Sequence, residues 1–440
     1  MKSVFKKLVI AILTWEARLV IRRHKPSVVA ITGSVGKTST KDAVYAVLAG
    51  QAQVRKSDKN FNSEIGIPLS ILGRPNAWNN PLRWLQNIFD GLLIAGLGRS
   101  YPDWLVLEIG ADRPGDIRKV VTWLPVDIAV ITRLPEVPVH VEYFDSPEMV
   151  REEKAALIAG LRPSGVLILS VGDERVVALR ERCPAGITVL TYGFSGSANV
   201  AAEVPEIVFG EAGRAAGMRS RITVGGESRV VTLYGALGAH VFESILAALA
   251  VAHSLDMKLE DSAAALEHNY VPPPGRMYLM PGMHRSLIVD DTYNSSPAAV
   301  EGALKTLAAI PAKGHKYAVL GDMMELGRFS VPEHRKVGVL AARCLATRKR
   351  EPHMLITVGI RSRDVAAAAR ETGLPEKAIL QCEDAEEAGA ELARRIKPGD
   401  VVLIKGSQSM RMERTVKLIM AEPNRASLLL VRQEGEWTKQ

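Results

Sequence analysis

Cysteine occurs only three times in 440 residues, at Cys183, Cys344 and Cys382, with no CxxC pair and no histidine at ligand spacing. That scarcity excludes a disulfide framework, argues against a structural zinc, and predicts a reducing, cytoplasmic compartment. Aromatic residues make up 5% of the chain, and none are interleaved with Lys and Arg, so the net charge of +8 does not predict a nucleic-acid partner. No apolar run reaches the length of a bilayer span: "MKSVFKKLVIAILTWEARLVIRRHK" is interrupted by Glu16 and Arg18. No small-residue cleavage site follows it, which argues against a secretory signal. Solenoid repeats and low-complexity tracts are missing too. Two readings of residues 1–25 remain: a helix packed on the first domain, or a basic amphipathic helix in peripheral contact with an anionic membrane surface.

What is present is ordinary globular composition, 47% apolar and 24% charged, at a length suited to two or three domains. Buried-strand runs "SVVAITG", "WLVLEIG", "DIAVIT" and "GVLILS" alternate with helical segments, which predicts a mostly parallel sheet covered on both faces. From about 190 to 235 the pattern changes to Gly-rich turns and β-branched alternation, read as short hairpins, and a helix is expected over 242–255. Three consecutive prolines in "YVPPPGRM" can continue neither a helix nor a central strand and read as a linker. Alternation then resumes with "SLIVDDTYN", "KYAVLGDM", "HMLITVGI" and "DVVLIKGS". The expected fold class is α/β: an N-terminal helix (1–26), a P-loop central domain with a mostly parallel sheet (27–271), and a smaller Rossmann-like α/β C-terminal domain (272–440).

Gly33-Ser34-Val35-Gly36-Lys37-Thr38, followed by Ser39, lies between a strand and a helix. Glycines turn backbone N–H groups onto a phosphate, Lys37 adds a point charge and Thr38 offers a hydroxyl to Mg²⁺. The longer form of the motif would need glycine where Ile31 stands, so the match is to a short GxxGK[ST] loop. The plainer reading is a Gly-rich connection with an exposed lysine. Glu108, at the carboxyl end of "WLVLE", is placed to hold Mg²⁺, or is a solvated strand end. His140 in "VPVHVEYF" and Lys154 in "VREEKAALI" read, each alone, as a loop residue and a solvated helix face.

Together these residues resemble the Mur ligase family, the ATP-dependent amide-bond synthetases of peptidoglycan precursor assembly. The resemblance runs in order through Thr32 to Thr38, "KNFNSEIGIPLSIL", "LEIGADRPGDI", His140, Lys154, "PPPGRM", "DDTYNSSP", "VLGDMMELG", His334 and "LIKGSQSMRMERTV", over roughly residues 27–420. "DDTYNSSP" and "GDMMELG" look like the branch that adds D-alanyl-D-alanine. The resemblance implies that a peptide carboxylate is activated by ATP as an acyl phosphate and joined to D-Ala-D-Ala or a similar dipeptide, the acceptor being a muramoyl peptide or related carboxylate. It further implies two Mg²⁺ ions held by Thr38, Glu108, His140 and a carbamylated Lys154, with Lys37 and Arg276 at the γ-phosphate. Asp291 and Asn294 would reach the nucleotide, Asn60 and Asn62 the substrate, and Lys405 with Ser407 the amine; a monomer is expected.

Several positions depart from the family pattern. Only about thirty residues precede the loop, where such enzymes carry a domain that grips UDP, so a ligase without that domain is expected. Ser63, Arg133 and Ser244 stand where asparagines are usual, and Ala156 where an acidic residue is. Rival readings are a folylpolyglutamate synthase-like ligase, the partner of a lipid-linked amidotransferase, which would need a four-cysteine insert, and a nucleotide-binding protein without ligase activity.

Overall fold

The computed structural model describes residues 2–58, 61–78, 80–98, 100–210, 213–347 and 353–433. Helix α1 (Lys2–His24) precedes strand β1 (Ser27–Thr32), whose apolar run is buried on both faces as a central parallel strand requires. Helix α2 (Lys37–Leu48) leads to β2 (Val54–Lys56), α3 (Gly66–Leu72), α4 (Pro81–Gly96) and β3 (Trp104–Glu108). Alternation continues through α5 (Asp116–Val121), β4 (Val126–Ile131), α6 (Pro147–Ala155), β5 (Leu161–Ser170), α7 (Glu174–Val177) and β6 (Thr188–Gly193). Strands β7 (Val200–Ala202), β8 (Glu206–Phe209), β9 (Ala215–Val224) and β10 (Glu227–Tyr234) follow.

These strands form one sheet in the order β10-β9-β7-β6-β5-β4-β1-β3-β2, with β8 on β9. Pairs from β2 through β7 are parallel; those made by β9 are antiparallel. The stretch 190–235, expected to fold into short hairpins, holds the consecutive antiparallel pairs β8–β9 and β9–β10, and these extend the main sheet. In the β9–β10 hairpin both turn residues, Gly225 and Gly226, have the positive φ that a two-residue loop demands. Helix α8 (Ala239–Ser254) is buried almost all round, which explains its near-continuous apolar sequence; α9 (Leu259–Asn269) follows it.

A second sheet takes the order β11-β12-β16-β13-β14-β15, and only its edge strand β11 (Tyr278–Pro281) is antiparallel. Its other elements are β12 (Leu287–Asp291), α10 (Pro297–Ala309), β13 (Lys316–Gly321), α11 (Ser330–Leu345), β14 (Met354–Val358), α12 (Arg363–Glu371), β15 (Ile379–Cys382), α13 (Ala385–Arg395) and β16 (Val401–Lys405). In the large sheet β1 pairs β3 on one side and β4 on the other, so strand order reverses at β1. A crevice therefore opens beyond its carboxyl end, with Ile31 opposite Glu108 and Thr32 opposite Ile131.

Candidate active site

The loop after β1 occupies that crevice. Gly33 has φ +140°, and a Cβ there would lie 1.9 Å from Thr132 Oγ1, so a side chain is excluded. Gly36, at φ 89°, precedes α2, and no side chain caps the first turn. Val35 bridges Arg133, Ser34 N donates to the Arg133 carbonyl at 2.8 Å, and Ser39 is buried in the first turn of α2. Burial holds the Lys37 ammonium below its ordinary pKa; Glu108 and Asp112 oppose that shift and Arg276 adds to it.

Glu108 ends β3 inside the crevice. Thr38 Oγ1 donates to its Oε2 at 2.8 Å, and Asn62 Nδ2 donates to its Oε1 at 3.2 Å. Burial opposes its charge, but Lys37, Lys41 and Arg276 outweigh burial and hold the carboxyl below the usual range. Arg276, from the far side of the proline segment, donates to Thr38 Oγ1 at 2.9 Å while its guanidinium lies 4.0 Å over the Tyr293 ring. A carboxylate, a hydroxyl and a cation thus meet at one point.

Lys154 reaches the same loop from α6, a helix started by Ser146 at the N-cap and Pro147 in the first turn. Its side chain is buried, and Nζ donates to the Gly33 carbonyl at 2.9 Å and to Ser34 Oγ at 3.1 Å. Desolvation, with the like charge of Lys37, drives its pKa well below the ordinary lysine value against the pull of Asp112 and Glu108. The solvated-face reading, natural beside Glu152 and Glu153, does not describe this residue.

His140 sits at the seam between the two sheets' loops, with a left-handed φ of 68°. Its Nδ1 lies 2.7 Å from Glu325 Oε2 and its Nε2 3.6 Å from Asp112 Oδ1. The His140 contact holds the Glu325 carboxyl below its ordinary range. Asp112 therefore links His140 to the field around Lys37 and Lys154. Neither Asp112 nor Glu325 is singled out by sequence; the available signal is that each lies within a quoted motif, "LEIGADRPGDI" and "GDMMELG".

The remaining expected residues gather on the second sheet. Lys405 Nζ lies 2.6 Å from Asp291 Oδ2 and donates to the Asn294 carbonyl at 2.8 Å, while Ser407 Oγ accepts from Met324 N at 2.8 Å. Asp291 Oδ1 also accepts from Met277 N at 3.2 Å. Asn60 lies outside the described residues. Beside the loop, Arg133 forms a two-pronged pair with buried Glu243, at 2.5 and 2.9 Å, and the Ser244 hydroxyl is buried with no hydrogen-bond partner. Two of the positions that depart from the family pattern thus line the same wall.

The donor set fits a nucleotide triphosphate with a hard divalent cation: an ionised carboxylate, a hydroxyl, a glycine cradle and an uncapped helix start. Among the described residues no three of His, Cys, Asp and Glu gather to hold a metal.

Comparison with known proteins gives matches to the Mur ligase middle domain over residues 91–252 and to the Mur ligase, glutamate ligase domain over residues 275–408. The UDP-N-acetylmuramoyl-tripeptide–D-alanyl-D-alanine ligase of Mycobacterium leprae is 29% identical over 408 residues, covering 87% of this chain and 71% of the relative. The enzyme of the same name from Bacillus subtilis is 29% identical over 398 residues, covering 90% and 76%. The crystal structure of the MurF ligase of Thermotoga maritima in complex with ADP superposes with a TM-score of 0.73 at 27% identity, covering 93% of this chain and 83% of that one.

Proposed function

Because this chain belongs to the Mur ligase family, we propose that it is an ATP-dependent ligase of peptidoglycan precursor synthesis that joins a muramoyl-peptide carboxylate to D-alanyl-D-alanine or a similar dipeptide. The observation that carries the reading is the convergence of Lys37, Thr38, Glu108, Lys154 and Arg276 on one loop at the sheet's switch point.

A carboxylate is a poor acyl donor. One of its oxygens attacks the γ-phosphorus, the bond to ADP breaks, and an acyl phosphate forms; the dipeptide amine then attacks the carbonyl carbon, losing a proton, and phosphate leaves. Such chemistry asks the protein mainly for positioning and charge neutralisation. The loop N–H groups and Lys37 hold the phosphates, and Arg276, braced on Tyr293, meets the γ-phosphate. Thr38 and Glu108 would hold one Mg²⁺; His140 and a Lys154 carbamate would hold another, and the ions would neutralise charge on the transferring phosphoryl group. CO₂ adds to the unprotonated form of an amine, the form that burial of Lys154 favours, which supports carbamylation. The Asp291, Asn294, Lys405 and Ser407 cluster is assigned to nucleotide and amine placement, and Asn60 and Asn62 to substrate binding. The division at residues 271 and 272, peripheral membrane contact through residues 1–25, and a monomeric state complete the proposal.

The test is phosphate release from ATP with UDP-MurNAc-tripeptide and D-Ala-D-Ala supplied together and singly. Release that requires both, with mass spectrometry showing the joined product, is expected. Release indifferent to the amine overturns the assignment.

A further inference from the structure

Helix α4 presents an outer face unlike that of an ordinary surface helix. Trp84, Asn87 and Gly91 point inward and are buried, whereas Leu82, Leu85, Phe89 and Leu92 are exposed along one strip that Leu97 continues, Leu82 by 75% and Phe89 by 61%. Helix α1 does the same. Leu8 and Trp15 are exposed, with Ile12 and Leu19 half-buried between them at helical spacing.

The two strips belong to one surface. Glu16 of α1 packs where a side chain on Gly91 of α4 would stand, and one turn or two further on Arg23 donates to the Ala95 carbonyl at 3.0 Å and also reaches the Gly96 carbonyl. The helices therefore lie side by side and run in the same direction. With that contact line shared and the opposite flank of each helix in the core, both apolar strips emerge on the same side.

Charge decides what covers them. On α1, Lys6, Lys7, Arg18 and Arg22 are exposed, and the sole acid, Glu16, is buried. Lys7, Arg18 and Arg22 form the row next to the apolar strip. On α4 the single acid, Asp90, is paired with Arg74 at 2.6 Å, leaving Arg83 exposed. A second copy of the chain would bring two basic rims together; anionic headgroups would complete them. No helix among the described residues is long and apolar enough to cross a membrane, so the pair must lie on one.

We infer that α1 and α4 form a single two-helix surface that seats flat on an anionic lipid bilayer, apolar strips at the acyl boundary and Lys and Arg among the headgroups. The inference rests on the reading of residues 1–25 as a membrane contact and adds α4 as its larger half.

Sedimentation of the full chain with phosphatidylcholine vesicles, with and without phosphatidylglycerol, tests it. Binding about tenfold stronger to the anionic vesicles, weakening with salt, is expected. The double variant Leu85→Ser/Phe89→Ser loses about tenfold in partitioning through its lost apolar contact, with ATP turnover and melting temperature unchanged. The triple variant Lys6→Gln/Lys7→Gln/Arg22→Gln loses the preference for anionic lipid. If the serine variant binds like the parent while the glutamine variant does not, α4 has no part and only the contact of residues 1–25 stands. A parent that stays in the supernatant ends both. A parent that is dimeric, becomes monomeric in the serine variant and ignores vesicles assigns the face to a second copy and overturns the inference.

Discussion

At the scale of single residues, Lys154 shows how burial shifts the acidity of a common side chain. Its amine donates to the Gly33 carbonyl and Ser34 hydroxyl, and desolvation lowers its pKa well below the ordinary lysine value. Lys154→Arg keeps a long basic side chain but cannot form a carbamate, so product formation is expected to fall by about 10³-fold or more while ATP binding changes less than about tenfold. ¹³CO₂ labelling supplies the readout: a protein carbamate signal in the parent and none in the variant. Arg276→Lys tests the stacked fork in the same way. A lysine cannot reproduce both the Tyr293 stack and the bond to Thr38, and a fall of about 10²-fold in kcat with a smaller change in KM for ATP is expected. Arg133 has a structural test. Its removal strands the Glu243 carboxylate, and Arg133→Ala is expected to cost about 2 kcal/mol, read as a lower urea midpoint at unchanged slope, because Arg133 is itself partly exposed.

At the scale of elements, the seam between α1 and α4 carries a buried acid. Both Glu16 oxygens lack hydrogen-bond partners, and burial pushes the carboxyl up to about 7. The unfolded chain holds this proton only up to about pH 4.3. Between those values the folded state binds the extra proton, so stability falls as pH rises from roughly 4.3 to 7 and levels above. Glu16→Leu is therefore expected to raise the melting temperature, by a margin that widens from pH 5 to pH 7 and then stays constant in calorimetry. Many elements were legible beforehand: β1, β3, most of β4 and the second half of β5 are short apolar runs of the kind a doubly covered parallel strand carries. Helix α4 was not read. Its apolar outer face obscures the alternation of buried and exposed positions by which a surface helix is recognised.

At the scale of the whole molecule, one apolar cluster takes in residues of both sheets, from Val29 and Ile31 to Val289 and Leu320, and specific polar pairs tie them as well. Arg276 reaches Thr38, Glu325 approaches His140, and Arg328 donates to the Asp145 carbonyl at 3.2 Å. Glu325→Gln weakens that seam at its contact with His140. It is expected to lower kcat about tenfold with unchanged ATP affinity, and to shift hydrogen exchange at residues 140–145 before exchange elsewhere responds. The amino-acid order by itself determined the alternating α/β plan, the short phosphate loop with Lys37 and Thr38, and Glu108 at a strand end, because each of these follows from spacing along a strand, a turn or a helix; His140 and Lys154 were marked only by the family resemblance. Only the tertiary structure decided that Lys154 is desolvated, that Asp112 and Glu325 flank His140, and that two apolar strips share one face. Those outcomes depend on groups distant in the chain approaching within a few ångströms, where burial and charge act through space and leave no periodic mark on the sequence.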